Sequence, residues 1–465
     1  MCGIAFNERM TIMGVKVVKF GGSSLADANQ IMKAAAIIQA DADRRFVVPS
    51  APGKRYDEDI KVTDMLYACY EKASRGLDFT EDFQMIKERY NGIIADLGVE
   101  ISLEEQFSQI QKALATAGKE YAASRGEFLN GIIIAAYLGY TFVDAADVIV
   151  FSDEGVMMRH ETVAKLRERL SGVENAVIPG FYGRSVSGVV RTFSRGGSDV
   201  TGSLVARAVR ASVYENWTDV SGMLVADPRV VDSPLTINEI TYKELRELAY
   251  MGATVLHEDA IFPVRTAGIP INIRNTNAPE DAGTMIVPDD DANDDTKVRT
   301  ITGIAGKKGF SVINIEKSMM NSEVGFCLDV LSVIAELGIS FEHMPSGIDT
   351  MSVIVDSASL EGKEERLMAE LRRIVHPDHI SIEKDIALLA VVGRGMRRTH
   401  GTAARIFAAL AHARINVKMI DQGSSELNVI IGVAEHDLHQ AIRSIYEVFI
   451  TSKMDLALIK SDIIS

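Results

Sequence analysis

Hydrophobic residues from Val15 to about Val287 fall into short apolar runs that alternate with longer stretches of helical periodicity. The runs are rich in Val and Ile and predict buried strands at 15–20, 45–49, 141–144, 147–151, 175–179, 212–217 and 269–274. The periodic stretches predict helices over Thr63–Ala73, Ser102–Ala123, Glu127–Leu138, Glu161–Leu170 and Tyr242–Gly252, with Ser102 and Glu105 spaced as a capping box. This alternation predicts an α/β domain over 14–287, in which a mainly parallel sheet lies between two helical layers.

Two diglycine corners stand out within this pattern. The first, Gly21–Ser24, follows the run Val15–Phe20, and the second, Gly196-Gly197, lies between an apparent strand Gly188–Phe193 and a helical stretch Val200–Arg210. Glycine lets a ligand approach the backbone closely, and a helix N-terminus presents free N–H groups to an anion. We expect both corners at the carboxyl edge of the sheet, where such folds bind ligands. Taken alone, the first corner is better explained as a tight turn, and the presence of a second, similar corner favours an anion site.

The C-terminal part of the chain repeats itself. An acidic stretch without large apolar residues predicts a linker over 288–298, and Gly325–Ser340 then aligns with Gly401–Asn416. Both copies have the strand and helix order of a split βαβ motif, and they define regions 299–384 and 385–465. The elements are 311–315, 325–337, 339–344, 350–355, 360–374 and 378–384 in the first copy, and 386–392, 400–412, 415–420, 426–432 and 435–447 in the second.

The extra strand-like residues 300–305 precede the first copy, whereas the second copy has only a weak closing strand. We therefore expect 300–305 to join the sheet of the second copy, so that the first copy is inserted within it. Pairing of 300–305 with the sheet of the first domain would contradict this hypothesis.

Composition narrows the class of protein. The chain has 465 residues and a formal charge of −15, which argues against nucleic acid as a partner because phosphate contacts need clustered Lys and Arg. Its cysteines, Cys2, Cys69 and Cys327, are too few and scattered for a disulfide framework or a zinc site, which indicates a reducing cytoplasm. The most apolar stretch, Gly131–Phe151, is interrupted by Asp144 and Asp147, so we expect no membrane segment. Residues 1–13 resemble a loose extension more than a signal peptide.

Six motifs in series resemble aspartate kinases of the amino acid kinase family. They are Lys19–Ser24, Gly180–Gly183, Arg195–Asp199, Trp217–Gly222, Ala226–Arg229 and Gly252–His257. The chain departs from the family pattern at Thr254, where some relatives have lysine, and at Glu258, where they have proline. It extends from about Val15 into the C-terminal region, whose repeats look like tandem ACT domains of ferredoxin-like βαββαβ fold. From the length we expect a monofunctional kinase, without a fused homoserine dehydrogenase.

The resemblance implies transfer of the γ-phosphoryl group of ATP to the β-carboxylate of L-aspartate, with Mg²⁺, giving 4-phospho-L-aspartate on the way to lysine, threonine and methionine. The attacking carboxylate is already ionised at neutral pH, so catalysis must mainly offset the repulsion between anions. By resemblance Lys19 neutralises the phosphates, Gly21, Gly22 and Ser23 donate to them, and Asp199 is the catalytic carboxylate. Taken alone, Lys19 is better explained as a solvated lysine and Asp199 as a helix cap.

Further site residues are assigned by the resemblance alone. Arg195 would bind the α-carboxylate of aspartate and Glu127 its ammonium group, and Ser50, Thr63, Phe181 and Ser198 would line the aspartate site. The nucleotide would contact Thr218, Asp219, Asp227 and Arg229. Without the resemblance, Glu127, Ser50 and Thr63 are ordinary helix and turn residues, and Trp217 is a core residue. The sequence predicts no dedicated metal site formed by the protein alone.

The ACT-like region implies regulation by an amino acid, with lysine and threonine as the candidates. Met320, Ser340 and Glu342 align with the effector pocket of the first copy, although Glu342 is equally a solvent-facing residue at a strand end. Asn416 and Asp421 are candidates for contacts with a partner subunit, because such domains pair through their sheets into a homodimer or larger assembly. Two other functions remain open: a related carboxylate kinase such as glutamate 5-kinase, and a non-catalytic amino acid sensor.

Overall fold

The computed structural model describes residues 14–194, 196–252, 256, 258–289 and 299–451, without the side chains of 258 and 259. The chain divides into two compact units. Unit 1 comprises residues up to Met223 together with Thr236–Tyr242 and Val255–Ala292, and unit 2 comprises Leu224–Leu235, Lys243–Thr254 and Asn293–Ser465. Two segments that the sequence analysis assigned to the first domain, 224–235 and 243–254, therefore group with the C-terminal region. Most of the linker 288–298 and all of residues 1–13 lie outside the described residues.

Unit 1 is built on an eight-stranded sheet. Its strands are β1 Lys16–Phe20, β2 Arg44–Pro49, β3 Thr141–Phe142, β5 Ala176–Val177, β8 Val213–Thr218, β9 Glu239–Thr241, β10 Ile271–Asn275 and β11 Thr284–Val287. Their order in the sheet is β3-β5-β2-β1-β8-β10-β11-β9, and neighbouring strands run parallel except for β10 and β11. A separate small sheet contains β4 Val150–Phe151, β6 Tyr182–Ser185 and β7 Val190–Thr192.

Helices lie on both faces of the large sheet. Those in sequence order are α1 Ala28–Gln39, α2 Val62–Ser74, α3 Thr80–Leu97, α4 Glu104–Ala113, α5 Lys119–Leu138, α6 Ala145–Val148, α7 Arg159–Leu170, α8 Gly197–Val209, α9 Tyr242–Tyr250 and α10 Glu258–Arg265. Val18 and Phe20 share one buried core with the first five helices, whereas α8 lies on the opposite face, where Asp199 contacts Lys19. The three-layer fold with a mainly parallel sheet is thus confirmed, and β1 is its centre, paired on both sides.

Three local predictions in unit 1 were wrong. The stretch 147–151 is not one strand, because the Asp144 side chain accepts a hydrogen bond from the Ala146 N–H and caps the short helix α6 before β4 begins. The helix predicted over 102–123 is interrupted, and α5 begins only after Gly118, whose φ of +90° is not helical. Ser102 accepts from the Glu104 N–H, one residue short of a capping box.

The strand before the second diglycine corner differs from a strand of the parallel sheet. The strand that precedes it, β7, pairs antiparallel with β6 in the small sheet and is not part of the parallel sheet. The corner nevertheless opens α8, with Gly196 in the left-handed conformation at φ +57° as the residue before the helix. The start of α8 lies at the carboxyl edge of the large sheet, as predicted, because Ser198 contacts Ser50 directly after β2 and Asp199 contacts Lys19 near the end of β1.

Unit 2 has a six-stranded sheet of order β13-β14-β12-β15-β17-β16. Strands β12 Gly303–Glu316 and β15 His379–Val392 each serve both copies, and the others are β13 Phe341–His343, β14 Thr350–Asp356, β16 Met419–Asp421 and β17 Asn428–Ala434. The helices are α11 Phe326–Glu336, α12 Ser357–Leu360, α13 Glu364–Val375, α14 Thr402–His412 and α15 Leu438–Tyr446. Residues Gly303–Lys307 pair with Leu388–Val392 of the second copy, the arrangement that an inserted first copy would produce.

Segments 224–235 and 243–254 are bonded within unit 2. The carboxylate of Glu244, which is fully buried, accepts from the Thr302 hydroxyl at 2.6 Å and from the Arg394 N–H at 2.8 Å. Arg443 donates to the Val230 carbonyl at 2.7 Å. These polar contacts explain why both segments group with the ACT-like region. Among the described residues, no helix has the length and apolar character that crossing a bilayer requires.

Candidate active site

Lys19 and Asp199 are in direct contact in unit 1. The Lys19 Nζ lies 2.7 Å from Asp199 Oδ1, and their side chains are only 10% and 17% exposed. Asn216 completes the group, because its amide nitrogen donates to the same Asp199 oxygen at 2.9 Å and its amide oxygen accepts from Lys19 at 3.3 Å. No sequence motif indicates this role for Asn216, although it is the direct partner of Lys19 in the pairing of β1 with β8. A buried cation is therefore held near the end of the central strand.

The first corner offers two backbone donors. The Gly21 N–H donates to the Trp217 carbonyl at 3.0 Å, so it is occupied within the protein. Among the hydrogen bonds of the described residues, none uses the N–H of Gly22 or Ser23. The corner continues into a single turn of 3₁₀ helix over Ser23–Leu25, whose start orients these N–H groups in one direction. Two of the three predicted backbone donors are thus available to an anion.

Ser50 and Ser198 meet at the carboxyl end of β2. Their hydroxyl oxygens lie 2.9 Å apart, and the Ser50 carbonyl accepts from the Asn130 amide at 2.7 Å. Phe181 adopts a left-handed φ of +79°, and its N–H donates to the Thr201 hydroxyl at 3.2 Å. A non-glycine residue in this conformation is strained, which is typical of residues near functional sites. Thr63 is half-buried and lies at the start of α2.

Glu127 is a buried carboxyl group on α5. It is 6% exposed, and its Oε2 is buried without a hydrogen-bond partner. Burial raises the pKa of Glu127 from 4.5 to about 8, against the opposing effect of a hydrogen bond from the Ala51 backbone. Ala51 is the chain neighbour of Ser50, whose hydroxyl contacts Ser198, and Ser198 is the chain neighbour of Asp199. Glu127 is therefore linked to the Lys19–Asp199 pair by short chain segments and hydrogen bonds. An unpaired buried carboxyl group of this kind suits a cationic ligand.

Arg125, which the sequence analysis did not select, lies beside Glu127. Its guanidinium carbon is 4.6, 4.5 and 5.2 Å from the ring centres of Tyr121, Phe128 and Tyr182, and the residue is 6% exposed. Contact with three aromatic rings stabilises a buried cation. Its charge favours the ionised form of Glu127 and lowers the pKa of that group, although burial has the larger effect.

The predicted nucleotide residues are divided between the two units. Thr218 and Asp219 lie at the end of β8 in unit 1, where the Thr218 hydroxyl donates to Asp219 at 3.1 Å. Asp227 and Arg229 belong to unit 2 and pair with each other at 2.7 Å. Arg195 and Thr254 lie outside the described residues, as does the side chain of Glu258. Trp217 is a core residue, 1% exposed and stacked on Phe20.

A magnesium ion would find few protein ligands in this site. No group of three or more His, Cys, Asp or Glu side chains in the described residues could hold a metal. Asp199 uses Oδ1 for Lys19 and Asn216, and no hydrogen bond of the described residues involves its Oδ2. One carboxylate oxygen together with nucleotide phosphates is a usual ligand set for Mg²⁺. The residues therefore fit a metal carried by the nucleotide.

The predicted effector residues lie in unit 2. Met320 is 5% exposed and belongs to the hydrophobic core of the first ACT-like copy, so its side chain contributes mainly to packing. Ser340 is exposed, and Glu342 lies on the edge strand β13. The Tyr250 hydroxyl donates to the Glu342 carboxylate, which is therefore already engaged. Asp421 accepts from His343 at 2.7 Å within the same unit.

Sequence comparison identifies both regions. Residues 14–275 match the amino acid kinase family and residues 389–449 match the ACT domain. Aspartokinase 3 of Bacillus subtilis is 38% identical over 454 residues, which cover 94% of this chain and 98% of that protein.

Structural comparison agrees. The crystal structure of an aspartate kinase from Clostridium acetobutylicum superposes with a TM-score of 0.84 at 50% identity and covers 94% of this chain and 100% of that one. E. coli aspartokinase III, solved with aspartate and ADP, has the same fold with a TM-score of 0.68 at 24% identity over 93% of this chain and 99% of its own. The chain belongs to the aspartokinases of the amino acid kinase family.

Proposed function

We propose that this protein is an ATP-dependent aspartate kinase that forms 4-phospho-L-aspartate. The observation that carries the proposal is the Lys19–Asp199 contact, which holds a cation beside the free N–H groups of Gly22 and Ser23. Phosphoryl transfer between two anions depends on positioning and on charge stabilisation, and this corner supplies both. The relatives that match nearly the whole chain are aspartate kinases, which favours this substrate over glutamate.

Lys19 would stabilise the charge that develops on the transferred group. Asp199 and Asn216 hold the ammonium group in place, so its orientation requires no rearrangement during the reaction. Asp199 would not act as a base, because the β-carboxylate of aspartate attacks in its ionised form. Asp199 Oδ2 would be the protein ligand of a nucleotide-bound Mg²⁺, which would supply further neutralisation of the phosphates.

Aspartate would be oriented by its two ends. Glu127 pairs with the ammonium group, Ser50, Ser198, Thr63 and Phe181 line the site, and Arg195 binds the α-carboxylate through its planar fork. The hydrogen bonds of Ala51 to Glu127 and of its chain neighbour Ser50 to Ser198 support a single site. ATP would bind at the first corner with Thr218 and Asp219, and the resemblance alone assigns Asp227 and Arg229 to the nucleotide.

Purified protein is expected to release ADP with L-aspartate and Mg-ATP in a coupled assay, and to react far more slowly with L-glutamate. The extra methylene of glutamate would move the carboxylate away from Lys19, and misplacement of about 1 Å can cost about 10²-fold in rate. Acyl phosphate is trapped as hydroxamate, which measures product independently of ADP. Preference for glutamate would support a related carboxylate kinase, and binding of aspartate without turnover would support a sensor.

We further propose that the ACT-like unit binds an amino acid, lysine or threonine, that inhibits the kinase. Ser340 and Glu342 would form the polar part of the pocket, and the effector ammonium would take the place of the Tyr250 hydroxyl on Glu342. Three exposed apolar residues support pairing of ACT-like sheets in a homodimer or larger assembly: Val324 just before α11, Leu328 on α11 and Phe341 on β13. Asn416 and Asp421 would lie at the contact. The three scattered cysteines support a cytoplasmic location.

Glu342→Gln is expected to weaken inhibition by the effector about 10- to 100-fold, since the neutral amide cannot pair with an ammonium group. Tyr250→Phe is the matched control, because it removes the competing hydroxyl and keeps the carboxylate. Its inhibition constant should stay equal or improve. The measurement is the half-inhibitory concentration of lysine and of threonine for each variant, and unchanged inhibition of the Gln variant would exclude Glu342 from the pocket.

A further inference from the structure

Arg89, on α3, is a buried arginine that no motif of the sequence analysis contains. Its side chain is 5% exposed and its two terminal nitrogens donate to groups on two different loops. Nη1 contacts Asp59 Oδ2 and the Ile60 carbonyl, each at 3.0 Å. Nη2 contacts the Ala26 carbonyl at 3.2 Å and the Gly53 carbonyl. One guanidinium therefore connects the end of the first corner with the segment between β2 and α2, which we call the 51–61 loop.

The 51–61 loop rests directly on the first corner. The Gly53 N–H donates to the Gly22 carbonyl at 2.8 Å. A side-chain carbon on Gly53 would lie 2.5 Å from the Gly22 carbonyl carbon, so only glycine permits this approach. Arg89 thus bonds to the carbonyl of the residue whose N–H bonds to Gly22. Because the Gly22 carbonyl is fixed, the orientation of the neighbouring Ser23 N–H is fixed as well.

The same loop connects the residues proposed to bind aspartate. It begins directly after Ser50, which contacts Ser198, and it ends two residues before Thr63. Its first residue, Ala51, contributes the backbone hydrogen bond to Glu127. A shift of the 51–61 loop would therefore change the first corner and the aspartate pocket together.

The charge of Arg89 is balanced within the loop. Asp59 accepts from Arg89 and also from the backbone N–H, Nε and Nη2 of Arg55, at 2.8–2.9 Å for the Arg55 bonds. Arg55 has the same charge and the same carboxylate partner, but its side chain is 43% exposed and makes no bond to Gly53 or Ala26. The chain thus contains a matched arginine that shares the ion pair and lacks the connection between loops.

We propose that Arg89 is a positioning residue of the phosphoryl-transfer site. It holds the 51–61 loop against Gly22, so that the aspartate pocket and the first corner keep one relative geometry. This proposal rests on the proposed kinase function. Stabilisation of the fold alone is the competing explanation. It differs in its consequence, because a purely structural residue changes the fraction of folded enzyme and not the KM of the folded molecules.

Arg89→Lys tests the proposal. A lysine keeps the charge but cannot span the four acceptors with one ammonium group. We expect the KM for aspartate to rise about tenfold, kcat to fall about tenfold, and the dissociation constant of Mg-ADP, measured by titration, to rise as well. Arg55→Gln should leave all three near wild type. Unchanged KM and ADP affinity in folded Arg89→Lys, whatever its melting temperature, would overturn the proposal.

Two further measurements keep the outcome decisive. If Arg89→Lys does not fold, Asp59→Asn removes the paired charge while preserving shape, and a several-fold rise in the KM for aspartate is expected; an unchanged KM rejects the proposal. If the wild-type protein binds Mg-ADP but does not phosphorylate aspartate, the proposed function fails. The ADP titration of Arg89→Lys against Arg55→Gln then still decides the positioning role.

Discussion

Lys19→Ala is expected to lower kcat for aspartate phosphorylation by about 10²–10³-fold or more, because it removes the cation that is fixed beside the phosphate corner. Lys19 is held by Asp199 and Asn216, so its charge is oriented before substrate binds. The removal also leaves Asp199, 17% exposed, without its counter-charge near the incoming phosphates. ATP affinity should fall together with kcat, because both ground state and transition state lose charge stabilisation.

Lys16→Ala is the matched control for this prediction. Lys16 lies on the same strand, β1, and pairs with Asp41 at 2.6 Å at the opposite end. Its removal should leave kcat near wild type and change stability only slightly, as expected for an ion pair near the surface. The measurement is product formation by hydroxamate trapping at saturating substrates, with circular dichroism to verify the fold. Retention of wild-type kcat in Lys19→Ala would show that another group neutralises the phosphates.

The central strand and its corner could be predicted because their signal is local. An apolar run followed by two glycines and helical periodicity specifies strand, turn and helix within about 20 residues. The contact between Lys19 and Asp199 was accessible only through the family resemblance, since 180 residues separate the two positions. Asn216 was missed for a related reason: its role depends on the register of β8 against β1, which periodicity does not fix.

Other differences have identifiable physical causes. The continuous periodicity of 102–123 hides a break, because Leu114 and Ala122 are both buried while Gly118 turns the backbone between them. Arg89 occupies an ordinary position on α3, and its importance comes from carbonyl groups of distant loops. Periodicity likewise could not assign 224–235 and 243–254 to unit 2, because that grouping depends on contacts with distant residues. In the second segment, for example, the buried Glu244 accepts hydrogen bonds from Thr302 and Arg394 of the ACT-like region.

Glu127→Gln is expected to lower kcat/KM for aspartate by about 10²-fold or more, because a buried charge pair with the substrate ammonium is lost. The wild-type enzyme should show a matching pH dependence. Burial raises the pKa of Glu127 to about 8, so the free enzyme is mostly protonated at neutral pH and must release a proton to bind the ammonium group. The kcat/KM for aspartate should therefore fall as the pH drops below about 8, and the Gln variant should lack this step.

The same substitution is expected to stabilise the free protein at pH 8. With a raised pKa, the folded state holds a proton on Glu127 that the unfolded chain releases above its ordinary value of 4.5. The stabilising contribution is complete below pH 4.5 and is lost as the pH rises toward about 8, at an upper limit of about 3–5 kcal/mol. Glutamine does not titrate, so the difference in the free energy of unfolding between Glu127→Gln and wild type should grow from pH 5 to pH 8.

Glu120→Gln on the same helix is the control: Glu120 pairs with Arg191, so its loss should not stabilise the fold. Equal pH dependence of Glu127→Gln and wild type would mean that Glu127 is ionised in the free enzyme and that another group receives the substrate ammonium.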